Sequence, residues 1–400
     1  MERKLIQLSD VITDIAAGPF GSNLKVSCFV NDGFPIIDGA NLRSFKVTDN
    51  ITKFVTEEKA RSLHRSIAKR GDIVVTISGT LGQIAYIPED SKYEEYLCSQ
   101  RQFRVTFDTT KVYVPYLAFY FHTYEGQHKI LSFANQVGVP ALSQPLKNFR
   151  RITIQLPDID TQKKIAIFVE LINEKIEQNE SINNNLEQQA QAIFANEFLS
   201  LDTLPEGWKQ ASLIDIADYL NGLAMQKYRP TVDETGIPVL KIKELRQGCC
   251  DDNSELCSPS IKSEYIIHDG DVIFSWSGSL LVDFWCGGIC GLNQHLFKVT
   301  SNKYNKWFYY AWTKHHLDRF IAVAADKATT MGHIKRDELS KAEVLIPNEA
   351  DYKRIETLLQ PIYDLIIANR IENKKLAETR DTLLPKLMTG EIDISEVDYE

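Results

Sequence analysis

Three sets of polar side chains recur in each half of this 400-residue chain, at places where short strand patterns run out into loops. The first half holds Asn41, Arg43 and Lys46 after a Phe34-Pro-Ile-Ile37 strand, Ser78 and Thr80 in a Ser-Gly turn, and Gln100, Arg101 and Gln102 before a strand at Phe103. The matching places in the second half hold Lys241, Lys243 and Arg246, then Ser277 and Ser279, then Asn293, Gln294 and His295. These residue types carry the donors and acceptors that match base edges and phosphate oxygens. The same three places are polar in both halves, while the residue types differ. Two readers of different sequences on one scaffold would look like this. Ordinary solvated loops and turn formers would also place polar residues here.

Bond-breaking chemistry has no comparable footing. The chain has no P-loop, no Gly-x-Ser-x-Gly elbow, no His-Glu-x-x-His and no Asn-Pro-Pro-Tyr. Ser78-Gly-Thr-Leu-Gly82 is a Gly-containing turn with no phosphate-cradling helix start after it. Glu372-Asn-Lys374 has nuclease-like spacing but lies inside a helical pattern. His315-His316 lacks an acidic or cysteine partner at ligand spacing. An enzyme with two copies of its site should repeat an acid, base or nucleophile in both halves, and the matched positions repeat none.

The elements that must position these side chains also repeat. Leu8-Ser-Asp-Val11 matches Leu213-Ile-Asp-Ile216. Phe34–Ile37 matches Ile237-Pro-Val-Leu240, and Arg70-Gly-Asp-Ile-Val74 matches Asp269-Gly-Asp-Val-Ile273. Gln102–Thr106 matches Leu296–Thr300, and Ile154-Gln-Leu-Pro157 matches Val344-Leu-Ile-Pro347. The order of the blocks is kept while the offset drifts, so one fold with loop insertions and deletions occurs twice. β-Branched segments at 72–77, 103–107 and 271–274 read as strands. Pro115–Phe121 and Lys306–Trp312 read as aromatic helices; a base-stacking platform is conceivable there, but rings this dense read as core.

Each half then enters a long helical pattern. Residues 160–198 contain neither Pro nor Gly, and at ~1.5 Å per residue would span roughly 58 Å. Ile165, Phe168, Ile172, Ile182, Leu186 and Ile193 form a 3-4 spaced seam, matched by Ile355, Leu358, Ile362, Leu365, Leu376 and Leu383. Asn179 and Asn369 take the equivalent seam place and are read as setting helix-pair register. Such helices need a partner for their apolar face, and each is the obvious partner of the other in an antiparallel pair. Pro361 should kink the second helix, and Gly390 should stop it.

The expected architecture is therefore α+β: two pseudo-symmetric mixed α/β domains separated by two long antiparallel, coiled-coil-like helices. The boundaries are 1–157 for the first domain, 158–200 for the first helix, 201–347 for the second domain and 348–400 for the second helix and tail.

Composition narrows the class. The chain is 44% hydrophobic and 25% charged, which fits a folded globular protein rather than a disordered one. No apolar run approaches the ~20 residues of a membrane span, and the start lacks the pattern of a signal peptide. A cytoplasmic protein without membrane contact is expected. Cys28, Cys98, Cys249, Cys250, Cys257, Cys286 and Cys290 form no evenly spaced framework and no Cys-x2-Cys pair, so reduced thiols without a metal are expected. The net charge of −9 argues against nucleic acid, but residues 1–150 carry +3 and the acid concentrates further on.

The order of blocks resembles the DNA-specificity subunits of Type I restriction–modification systems. The resemblance rests on Leu204-Pro-Glu-Gly-Trp208, Gly-Asp-Ile/Val at 71 and 270, Asp160-Thr-Gln-Lys-Lys-Ile165 and the closing Leu383-Leu-Pro-Lys-Leu-Met-Thr-Gly-Glu-Ile392, and it covers nearly the whole chain. It implies a non-catalytic protein whose globular parts are target recognition domains, each reading one half of a bipartite, asymmetric site in double-stranded DNA. The helices would set the half-site spacing and dock two methyltransferase subunits. Those subunits would carry S-adenosylmethionine and methylate adenine; this chain would hold no cofactor. A translocating nuclease (restriction) subunit is a further implied partner. Two other readings fit the same residues: a specificity module of a Type IIB-like system, and a tandem protein-interaction scaffold without a DNA role.

Overall fold

The computed structural model describes residues 3–135, 139–326, 336–394 and 397. The extreme end of the expected tail lies outside these residues. The chain divides into two compact units, one running to Asn173 and resuming at Glu378, the other spanning Glu174–Ala377.

In the first unit a four-stranded antiparallel sheet has the order Ile12–Ala17, Gln102–Phe107, Ile73–Thr76, Ile84–Tyr86. A second sheet pairs Phe34–Ile37 in parallel with Glu95–Cys98. The second unit repeats both. Its four-stranded order is Asp218–Asn221, Leu296–Thr300, Val272–Ser275, Leu281–Phe284, and Ile237–Leu240 runs parallel to Cys290–Leu292. A two-stranded ladder recurs as well, Arg3–Gln7 on Thr153–Pro157 and Lys209–Ser212 on Glu343–Ile346.

The aromatic helices, Val114–His122 and Lys306–His315, bury their rings: Tyr116, Phe119 and Phe121 in one unit, and Trp307, Phe308 and Tyr310 in the other. They form the cores against which the sheets pack, so these rings are not a stacking platform.

The long helices run Ile159–Phe194 and Glu349–Thr389. Their starts are built alike, 190 residues apart. Asp158 accepts from the Thr161 N–H at 2.9 Å, and Asn348 accepts from the Asp351 N–H at 2.9 Å. Each cap satisfies a backbone donor that the helix cannot satisfy itself. The second helix is continuous through Pro361, where the sequence suggests a kink. Leu359 and Tyr363, on either side of that proline, are buried in the core and hold the segment helical despite the lost backbone bond. It ends before Gly390, which takes φ +79°.

The seam also differs from the sequence pattern. Ile182, Leu358 and Leu365 are exposed. Buried apolar matched pairs include Ile165 with Ile355, Val169 with Leu359, and Phe194 with Leu384. Within the second unit the helices run antiparallel. Asn183 and Asn179 bond to Asn369 and Asn373, while Glu197, further along the first helix, pairs with Arg354, earlier on the second.

Among the described residues no helix is long and apolar enough to cross a membrane, and no group of three or more His, Cys, Asp or Glu is placed to hold a metal ion.

Candidate nucleic-acid interface

In the first unit the three loops meet at one cleft of about 990 Å³. Arg43, Ser78, Thr80, Gln100, Arg101 and Gln102 all line it. Strand pairing brings them together. The loop after Phe34–Ile37 and the loop after Glu95–Cys98 leave two parallel neighbours at the same end, and the Ser-Gly turn follows Ile73–Thr76 beside Gln102. The Gly18 N–H donates to the Gln102 carbonyl at 2.7 Å, and Gly222 repeats the bond to Leu296 at 3.0 Å. Neither glycine has room for a side chain. A Cβ at Gly18 would sit 1.8 Å from the Ser99 carbonyl oxygen, and one at Gly222 2.3 Å from that of Asn293.

Asn41 and Lys46 do not line this cleft. Asn41 is buried. Its side chain accepts from the Asp38 N–H and donates to the Thr48 and Asn50 carbonyls, so it shapes the turn that carries Arg43. Lys46 lies in a short bridge to Tyr86. Residues that the sequence pattern left unmarked also line the cleft: Asp38, Lys53, Thr76, Gln83 and Ser99. Lys53 Nζ lies 2.5 Å from Asp38. Burial pushes the Asp38 carboxyl up, but the hydrogen bonds from Lys53 and the Ala40 N–H outweigh it and hold the group below the usual carboxylate range.

The second unit brings its matched residues to two adjoining clefts that share Ile242 and Lys243. One of about 450 Å³ is lined by Lys241, Lys243, Asn293, Gln294 and His295, and one of about 470 Å³ by Lys243, Arg246 and Ser279. Ser277 is buried behind them, with its Oγ 3.0 Å from His295 Nδ1. Arg246 donates to Ser279 Oγ.

Acids hold the lysines of this unit in ion pairs, Lys241 with Glu255 at 2.6 Å and Lys243 with Asp251 at 3.0 Å. The Lys241 hydrogen bond holds Glu255 below its ordinary range, and the Asp251 hydrogen bond raises Lys243. Solvent screens exposed pairs of this kind, so each is weak. Gln226 and Arg229 line the same cleft and carry no mark in the repeat.

Asn179 and Asn369 lie away from the clefts, buried between the long helices. The Asn179 amide donates to Glu372 and Asn373, and that of Asn369 to Asn183. His315 and His316 pack on Trp312; His316 Nε2 lies 2.7 Å from the Glu343 carbonyl oxygen, and burial lowers both imidazoles.

Two similar units thus bring matched polar loops together, at one cleft in the first and at two adjoining clefts in the second. The chain belongs to the family of the Type I restriction modification DNA specificity domain, whose model matches it twice, at residues 21–188 and 205–378. It is 24% identical over 368 residues to the Type I restriction enzyme MjaIX specificity subunit of Methanocaldococcus jannaschii, covering 86% of this chain and 82% of that one. It is 20% identical over 317 residues to the HindI specificity subunit of Haemophilus influenzae, covering 60% and 69%. Among solved structures, its fold is similar to that of the Type-I restriction-modification system S subunit from M. genitalium. The TM-score is 0.61 at 12% identity, over 97% of this chain and 96% of that one.

Proposed function

We propose that each unit reads one half of a bipartite, asymmetric site in double-stranded DNA, and that the chain directs adenine methylation by partner subunits without doing chemistry itself. The observation that carries this reading is that the same three loops line one cleft in the first unit and two adjoining clefts in the second, with different side chains in each. Arg43, Arg101 and Gln100 in the first unit, and Lys241, Lys243, Arg246, Gln294 and His295 in the second, are the side chains proposed to meet bases and phosphates. Different residues on a common frame select different half-sites, which makes the whole site asymmetric.

In the same reading the long helices fix the gap between half-sites, and their exposed apolar positions, including Ile182, Leu358 and Leu365, dock two methyltransferase subunits that carry S-adenosylmethionine. The modest positive charge of the first 150 residues supports weak binding by the lone chain and tighter binding in a complex that adds basic surface.

The test is to co-express the chain with the methyltransferase encoded beside it and map modified adenines in the host genome. A split motif that vanishes when this chain is omitted supports the proposal. A soluble complex that yields no motif, and shows no salt-dependent DNA shift, favours the protein-interaction scaffold.

A further inference from the structure

The two units differ at two matched strand positions beside their clefts. In the first unit these hold Gln83 and Gln102, which sit on neighbours of the strand Ile73–Thr76 at the level of Thr76. The strand register of the second unit places Leu281 and Leu296 at the equivalent positions, opposite Ser275. Leu296 is fully buried in an apolar cluster, and Leu281 packs on the same cluster. At these two matched positions one unit thus carries leucines, which line neither of its clefts, where the other carries carboxamides that line its cleft.

These carboxamides are fixed. Gln83 Nε2 donates to the Gly39 carbonyl at 2.9 Å, and its Oε1 accepts from Thr76 Oγ1 at 3.2 Å. Gln102 is only 1% exposed. Its Oε1 accepts from Ser99 Oγ, which itself accepts from the Arg101 N–H at 3.4 Å. The Gln102 Nε2 amide has no hydrogen-bond partner among the described residues, and Gln102 lines the cleft. The amide nitrogen keeps contact with the open cleft, so it is a donor that a ligand can take up.

The same cleft is lined by the apolar Leu24, Phe29 and Ile36 and by the exposed Arg43 and Arg101. An amide donor, apolar side chains and exposed cations in one cleft match a nucleotide: an acceptor atom of the base on Gln102, its ring faces against the apolar side chains, its phosphate on the arginines. The volume suits such a ligand. The base edges of a stacked duplex meet the exposed side chains first, and a donor as deeply buried as Gln102 lies below them. A base that leaves the stack reaches further, at a cost of a few kcal/mol for unstacking.

We propose that the first cleft receives a single nucleobase, held by Gln102 Nε2. The base belongs either to a nucleotide extruded from the DNA or to a free mononucleotide. The first source rests on the DNA-reading proposal; the pocket itself does not.

The test compares the wild-type chain, in complex with its methyltransferase, with the double variant Gln83→Leu/Gln102→Leu, which copies the residues at the matched strand positions of the second unit. Circular dichroism and the thermal midpoint check that the variant is folded. If it is not, Gln102→Met alone, which removes the donor and nearly keeps the volume, replaces it.

One arm titrates thymidine 5′-monophosphate and, as a control, abasic deoxyribose 5-phosphate by calorimetry. The other places 2-aminopurine at each position of the first half-site and reads fluorescence. A bright position other than the methylated adenine, lost in the variant while the methylated adenine still responds, supports an extruded base. Saturable thymidine monophosphate binding, at least tenfold weaker in the variant and with no such bright position, supports the pocket and makes a free nucleotide its occupant. Neither signal, or signals equal in the wild type and the variant, overturns the proposal. Failure of the DNA-reading role leaves the calorimetric arm still decisive for the pocket.

Discussion

Asn369 donates its side-chain amide to Asn183 Oδ1 at 2.9 Å across the two long helices, and the same bond recurs in mirror order, Asn179 Nδ2 to Asn373 Oδ1 at 2.8 Å. The bonds are images under the 190-residue offset, which maps Asn179 onto Asn369 and Asn183 onto Asn373. The backbone follows the same rule. Asn183 Nδ2 donates to the Ile366 carbonyl at 3.4 Å and Asn373 Nδ2 to the Ile176 carbonyl at 3.2 Å. A local twofold axis therefore passes between four asparagines inside the second unit. Slipping the helices by one turn would leave these buried amides unpaired, whereas leucines there would tolerate several registers.

Asn369→Ala should thus destabilise the full chain by about 1–3 kcal/mol in urea unfolding, because Asn183 Oδ1 then stays buried without its donor. Asn183→Leu/Asn369→Leu should cost less than the sum of the two single changes. A single variant as stable as the wild type would remove the network from the account.

Gly18→Ala and Gly222→Ala each drive a methyl group into a backbone carbonyl next to the loops that line the clefts. Each should cost about 1–3 kcal/mol of overpacking. Gly18→Ala should blur only the half-site read by the first unit, and Gly222→Ala only the other. The readout is the methylation motif, scored separately for its two halves.

The strand that presents Gln102 is tied to its neighbour by Arg104, whose Nη2 lies 2.6 Å from Asp14. The Arg104 hydrogen bond holds the Asp14 carboxyl below its ordinary value of 3.8. A depressed folded-state value stabilises above the unfolded value, and this contribution is lost as pH falls from about 4 through the lowered one. Asp14 is more than half exposed, so the pair contributes no more than about 1 kcal/mol. Thermal midpoints measured from pH 6 to pH 3 should fall less steeply for Asp14→Asn than for the wild type. Parallel curves would contradict this role.

Arg101 and Lys243 should fail in different ways. Arg101→Ala should weaken specific binding by about 1–3 kcal/mol and relax one base position. Lys243→Ala, if the lysine meets only phosphate, should weaken all sequences alike and lower the salt slope by about one unit. Quantitative binding across salt concentrations separates the two.

Much of this architecture is legible in the residues, because a repeat constrains itself: strands at Ile73 and Val272 were recognisable from the same Gly-Asp-Ile/Val step. The long helices were legible from the absence of Pro and Gly over 160–198. What failed was local pattern standing in for packing. Ile182, Leu358 and Leu365 fit a 3-4 spacing yet point outward, because Val169, Leu359 and Tyr363 occupy the buried stripe. Asn41 looked like a reader by its loop position and is consumed by its own turn. Gln83 carried no signal, since only strand pairing brings it beside Gly39. The compact units divide within the long helices, at Asn173 and Ala377, where no composition change marks them.

The most direct measurement is the methylation motif directed by variants of each cleft, expressed with the same methyltransferase. Arg101→Ala should alter bases in one half of the motif and leave the other half and the gap unchanged. Arg246→Ala should do the reverse. A variant that changes both halves together, or a motif indifferent to both variants, would contradict the claim that each unit reads its own half-site.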